Sequence, residues 1–329
     1  MAIQLTIIGL ERIGCSIGLA LKEHTQKITR VGHDRKDPNN KKALELGAID
    51  KATGNIKDAV VAADIVILAV PVDEIKETIE VISNDLKAGA VLLDTSILKN
   101  EVAGWVKEFV PEDRYFVSFQ PTLNPLYLSE PLNDIQYAHA DLFHKSMIVI
   151  TSPPKTDGDA IKLASDLAFY LGSSPYFADP HEVDGITTGT EILPELLAST
   201  YINLITSQPG WREGQKIASH SFANLSGSIL NAPEREMFGQ AIQGNKENTI
   251  RMLNEMMIGL RNVREIIENE EWDELHKLIS LARERHGDWL YNRNKANWEN
   301  SANYDEIPSS GDFFLHMIGF SKKKKSKPE

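Results

Sequence analysis

The sequence predicts an α/β chain: an N-terminal Rossmann-like, doubly wound parallel sheet followed by an all-helical domain. Three observations carry the prediction. A glycine-bearing loop joins an apolar strand to a helix near the start of the chain. Two further segments are apolar on both faces, as parallel strands covered by helices are. From Arg235 onward, apolar residues recur at the helical period over several turns.

Taken in order, Ile3 to Ile8 reads as the first strand, and Gly14 to Lys22 as a helix with apolar residues at 13, 17, 20 and 21. The loop between them is Gly9-Leu10-Glu11-Arg12-Ile13-Gly14. In a G-x-G-x-x-G loop the outer glycines make the tight turn and let the helix pack on the strand, whereas the middle one lets a pyrophosphate approach the backbone. Here the middle position is Glu11. A carboxylate about 4 Å from one phosphate charge, at an effective dielectric of about 20, is repelled by roughly 4 kcal/mol. Dinucleotide binding then requires Glu11 to point outward or to be neutralised by Arg12; otherwise Glu11 decorates an unused surface turn.

The second strand, Ile28 to His33, ends on Asp34, twenty residues after Gly14. There the fold places the carboxylate that takes the ribose hydroxyls. Asp34 favours NAD over NADP, Arg35 beside it could meet a 2′-phosphate, and the alternative is an exposed loop acid. Ala63 to Pro71 and Ala90 to Asp94 read as buried strands. Ligands of such a sheet sit at its carboxyl ends. The expected cofactor positions are therefore Gly9, Glu11, Arg12, Ile13, Gly14, Asp34, Arg35, Val70, Pro71 and Thr95.

Strand and helix are expected to stop alternating at Thr151-Ser152-Pro153-Pro154. The expected domains are residues 1–152 for the dinucleotide-type sheet, 153–299 for the helical domain, and 300–329 for a linker and basic tail. From Arg235 to Asn269 the pattern predicts one long helix, with apolar residues at 238, 242, 250, 253, 256, 257, 260, 263, 266 and 267. A helix of that length predicts an intertwined homodimer. The alternative is a hairpin within one subunit, with Trp272, Leu275, Leu278 and Leu281 on the partner helix.

At 329 residues the chain suits two domains. A formal charge of −12, with Lys and Arg scattered except in one short tail, argues against nucleic acid as a partner. A single cysteine, Cys15, precludes an internal disulfide framework and fits a reducing compartment. The longest apolar run, Ala62 to Val72, is interrupted by Asp64 and too short to span a membrane. The first residues lack the basic segment of a signal peptide, so the expected location is cytoplasmic.

Several motifs together resemble the prephenate and arogenate dehydrogenases of tyrosine biosynthesis. Asp94-Thr95-Ser96-Ile97-Leu98-Lys99 is similar to the family's D-x-G-S-x-K loop, and Gln120-Pro121-Thr122-Leu123-Asn124 to its H-P-M-x-G. Ala140-Asp141-Leu142-Phe143 resembles A-x-L-F, and Ile150-Thr151-Ser152-Pro153 resembles L-T-P. Glu191-Ile192-Leu193-Pro194-Glu195 falls at S-H-L-P-H, seven residues after an Asp184 that matches an H-D pair, and Phe222 to Gly227 falls at G-F-x-D-x-T-R. The likeness covers roughly residues 1 to 295.

The resemblance implies that the histidine of H-P-M orients the substrate's ring hydroxyl, or accepts its proton, as hydride leaves for the nicotinamide. The serine of D-x-G-S-x-K helps, and an arginine takes a substrate carboxylate. This chain carries Gln120, Ile97 and Gly227 at those positions, and Val183, Ile192 and Glu195 at the family's other histidines. An amide has no accessible pKa near 7 and isoleucine donates no hydrogen bond. Glu191 and Glu195 facing a dianionic ligand would repel it. The expectation is a dehydrogenase-like protein that has lost prephenate oxidation, with NAD or NADP binding weakened by Glu11. It would act by binding a small-molecule ligand or a partner. The alternatives are an oxidoreductase with a changed substrate and an active prephenate or arogenate dehydrogenase.

No replacement catalytic set is evident among His139, His144, His181 and His220. Glu191 and Glu195, at i and i+4, share a helical face, but no histidine completes a metal-ligand motif with them. Cys15, at a helix start, reads as a small packing residue rather than a reactive thiol. The tail, with Phe313 to Phe320 followed by lysines to Lys327, reads as a docked segment with a solvated basic end. The alternative is contact with an anionic membrane surface.

Overall fold

The computed structural model describes residues 3–24, 28–130, 134–227, 229 and 235–296. The linker and tail expected at 300–329 lie outside the described residues.

The described residues divide into two compact units, 3–181 and 182–296. The first is built on one eight-stranded sheet: β1 (Ile3–Ile8), β2 (Ile28–His33), β3 (Lys51–Ala52), β4 (Ile65–Leu68), β5 (Val91–Asp94), β6 (Tyr115–Pro121), β7 (Met147–Thr151) and β8 (Ser174–Phe177). Their order is β3-β2-β1-β4-β5-β6-β7-β8. All neighbours are parallel except β6 and β7. Strand order reverses at β1, so the crevice outside the carboxyl ends of β1 and β4 is the topological switch point.

Six helices belong to the sheet: α1 (Arg12–Ala20), α2 (Asp37–Leu46), α3 (Ile56–Val60), α4 (Val72–Ile82), α5 (Asn100–Phe109) and α6 (Gly158–Tyr170). β4 and β5 are buried at every residue, and the core forms two apolar clusters. One gathers Leu5, Ile7, Ile67, Leu93 and Phe119, the other Ile8, Val66, Leu68, Leu92 and Ile79. This is the burial that the uniformly apolar strands require.

The expected boundary at 152/153 is corrected to 181/182. Alternation does not stop at Pro153-Pro154. Those residues begin another crossover, through α6 to β8, and β8 pairs in parallel with β7 from Met147↔Ser174 to Ile150↔Phe177.

The second unit is helical. It comprises α7 (Pro180–Thr187, which begins just before the boundary), a π-helical turn at Thr188–Ile192, α8 (Leu193–Thr206), α9 (Trp211–Ile217), α10 (His220–Gly227), α11 (Arg235–Gly244), α12 (Lys246–Glu268) and α13 (Trp272–Lys295). The single helix expected from Arg235 to Asn269 is broken at Asn245, whose backbone leaves the helical region at φ −127°. Its side-chain amide donates to the Asp184 carbonyl at 2.6 Å, and Thr249 donates to the Asn245 carbonyl. These bonds hold the break. α12 and α13 pack on each other, the hairpin weighed from the sequence. No helix among the described residues is long and apolar enough to cross a membrane.

Candidate functional site

The loop after β1 shows why its outer glycines are kept. Gly9 adopts φ +92°, and a Cβ on it would lie 2.4 Å from the Ala69 carbonyl oxygen. A Cβ on Gly14 would lie 1.9 Å from the carbonyl oxygen of Gly9. No real side chain fits either contact, so both positions are fixed by chain packing.

Outside the carboxyl ends of β1, β2 and β4 lies a cavity of about 260 Å³. Of the positions expected from the sequence, Gly9, Glu11, Asp34, Arg35, Val70 and Pro71 line it. Ile13 and Gly14 do not; Ile13 packs against the core and Gly14 is buried beneath the turn. Thr95 hydrogen-bonds to the Leu68 carbonyl at 2.9 Å, holding the loop after β5 to the end of β4.

Asp34 is not the exposed loop acid of the alternative reading. It is buried, with one carboxylate oxygen accepting from the Leu10 amide and the other from the Lys36 amide, each at 2.7 Å. A carboxylate offers about four lone-pair sites, so acceptor capacity remains on both oxygens.

Of the two possibilities raised for Glu11, neutralisation by Arg12 does not occur. Arg12 turns inward, wholly buried, and its guanidinium meets Glu130 at 2.9 Å and the Glu130 and Tyr127 carbonyls. The ion pair at Glu11 is instead made by Lys36, at 2.8 Å. Successive residues at a helix start point in different directions, and only Glu11 faces the cavity. Arg35 is also engaged, to Glu74 at 2.7 Å. Lys36, Glu74 and Glu77 all line the cavity and were missed in the sequence. The two acids lie in the first turns of the helix after Pro71, a placement that the helix-start signal could have given. Burial raises the Glu74 carboxyl pKa, Arg35 opposes this, and the charges of Asp73, Asp34 and Glu11 add to it.

The fit to a dinucleotide is therefore divided. The turn, the cavity and Asp34 fit a nucleoside. The middle of the loop does not fit a diphosphate, because Glu11 holds a carboxylate at the start of α1, where the backbone amides and helix dipole would otherwise receive phosphate.

Gln120 lies near the end of β6, half-buried, with its Oε1 atom inaccessible and without a hydrogen-bond partner. Ile97 packs against the second apolar cluster. In the same loop, Ser96 donates to Asp94 at 2.7 Å, and Lys99 is buried. Burial raises the Asp94 pKa, opposed by Lys99 and Ser96.

Within the helical unit, the π-helical turn carries Glu191, and Glu195 opens α8. Glu195 is pushed up to about 7, first by burial and then by the charge of Glu191, and its Oε2 atom is buried without a partner. Burial also raises Glu191, although its side chain still reaches solvent. Ile192 is core. Gly227 ends α10, and a Cβ there would meet no atom within 4 Å.

Each of the four histidines weighed from the sequence has surroundings of its own. His139 stacks on Tyr127 at 4.1 Å and meets Glu130 at 3.1 Å, within the network that Arg12 enters. His144 packs beside Gly172, His181 lies in the first turn of α7 with its amide bonded to Asp179, and His220 meets Asn224. No group of three His, Cys, Asp or Glu residues suited to a metal occurs among the described residues. Cys15 is buried with its thiol pushed up to about 12 by burial and then Asp34, which makes it a packing residue.

Fold and crevice together define a protein of the Rossmann-like, doubly wound α/β class with a helical second unit. Residues 17–174 match the family model "Prephenate dehydrogenase, nucleotide-binding domain". The chain is 23% identical to a prephenate dehydrogenase of Bacillus subtilis over 282 residues, covering 84% of this chain and 74% of that one. It is 24% identical to a cyclohexadienyl dehydrogenase of Zymomonas mobilis, covering 83% and 91%. In fold it resembles the prephenate dehydrogenase of A. aeolicus crystallised with hydroxyphenyl propionate and NAD+, at a TM-score of 0.76 and 21% identity over 88% of this chain and 98% of that one. By the family-model match, residues 17–174 belong to the nucleotide-binding domain of the prephenate dehydrogenase family.

Proposed function

We propose that this member of the family has lost prephenate oxidation and acts by binding a small-molecule ligand or a partner. Gln120 carries the reading. It stands where the family resemblance puts the histidine that handles the substrate's proton, its acceptor oxygen is buried and unpartnered, and an amide neither gains nor loses a proton near pH 7. Ile97 adds an apolar side chain where a donor is implied, and Glu11 weakens NAD or NADP. The test is to supply prephenate and arogenate, each with NAD and NADP, and follow reduced cofactor. No turnover is expected at any substrate concentration, and saturable turnover with either substrate would overturn the reading.

One observation favours a second reading, an active NAD(P)-dependent oxidoreductase on prephenate, arogenate or a changed substrate. Glu195, with a pKa of about 7, is a carboxyl able to exchange protons at neutral pH. Turnover that disappears in Glu195→Gln would establish it.

The helical unit supports homodimerisation. Met257 and Leu260 on α12, and Leu281 and Tyr291 on α13, are large apolar or aromatic side chains left exposed. A second copy of this unit is the natural cover. A cytoplasmic setting accords with the single buried thiol.

A further inference from the structure

The cavity at the end of β1 has a chemistry of its own. Its two cations are already committed, Lys36 to Glu11 at 2.8 Å and Arg35 to Glu74 at 2.7 Å. Its acids outnumber them, since Asp34 and Glu77 also line it. A diphosphate laid across the start of α1 would compete with Glu11 for Lys36 and meet the Glu11 charge directly. The ribose end is different. Asp34 is fixed by two backbone amides, keeps acceptor capacity for hydroxyl donors, and shares the cavity with the apolar Val70. The same pocket thus accepts hydroxyls and repels phosphate.

We propose that this pocket takes a ribonucleoside carrying no 5′-phosphate, uncharged or cationic at its 5′ carbon, in place of a dinucleotide. Glu11 is then the residue that sets the ligand's charge, and Asp34 the one that holds the ribose. The inference rests on the reading that the chain binds without oxidising prephenate, and it names the ligand class.

The test is calorimetric titration of the full chain with adenosine, 5′-AMP and NAD. Adenosine is expected to bind tighter than either phosphate-bearing probe by about tenfold or more, since like charges held at close range cost that much. Glu11→Gly should abolish or reverse the order. Glu11→Gln, which keeps the side chain's size, should narrow it and separates charge from crowding. NAD or 5′-AMP binding the unmodified chain as tightly as adenosine would overturn the proposal, as would an order unchanged in both variants or no binding of any probe. NAD bound as tightly as adenosine but without prephenate turnover overturns this proposal alone; turnover of prephenate with NAD overturns the functional reading as well.

Discussion

The strands of the first unit and the two long helices of the second treat their apolar side chains in opposite ways. In the sheet unit Leu5, Ile7, Ile67 and Leu93 are fully buried, and even an arginine, Arg12, is sealed inside with a partner for its charge. In the helical unit Met257, Leu260, Leu281 and Tyr291 keep between 45% and 61% of their surface exposed. A unit that buries its own apolar surface can be understood from its own sequence; one that leaves it open has a surface suited to something outside itself.

The largest expected effect breaks the sealed side of this comparison. Gly14→Ala would put a methyl group 1.9 Å from the Gly9 carbonyl oxygen, so the loop or α1 must move. A loss of about 3 kcal/mol or more is expected in urea denaturation. A variant as stable as the parent would mean that the turn is not fixed by packing. On the open side, Leu260→Glu should leave the folded subunit nearly unchanged and convert a dimer to a monomer in light scattering. The effect is counted once in each subunit, at about 1.5–3 kcal/mol for the buried side chain. Wild-type monomer at high concentration would end the dimer proposal.

A smaller effect lies in Glu195, whose folded pKa of about 7 stands above its ordinary 4.5. Because folding favours the protonated carboxyl, its contribution is complete below about 4.5 and is lost as pH rises through about 7. Stability should fall by about 1–2 kcal/mol across that window after solvent screening. Glu195→Gln should flatten this part of the Tm profile, and an unaltered profile would count against a buried carboxyl there. The smallest effect is at Gly227, where a methyl group meets nothing. Gly227→Ala should stabilise α10 by up to about 1 kcal/mol, in contrast to the same change at Gly14.

Local pattern made much of the sheet legible. β1, β4 and β5 announce themselves as short apolar runs, and motif spacing for Gly9 and Asp34 with the strand end for Val70 and Pro71 pointed to what is one crevice. β8 was missed because Ser174–Phe177, with proline inside it, earns its place by pairing with β7, which no local window contains. The break at Asn245 was hidden for the same reason, since its amide answers a carbonyl 61 residues away. At the candidate site, residue identities were visible but side-chain directions were not. Arg12 follows Glu11 in the chain yet bonds to Glu130, and Lys36 reaches Glu11 from the loop after β2.

The burial of Cys15 has a practical side. With one thiol in the sequence, sealed in the core and held protonated to about pH 12, a maleimide or disulfide reagent has nothing to attack while the sheet stays closed. The rate of labelling therefore times the opening of the sheet unit itself. The same silence lets a cysteine placed anywhere on the open helices be labelled alone, without first removing the natural one.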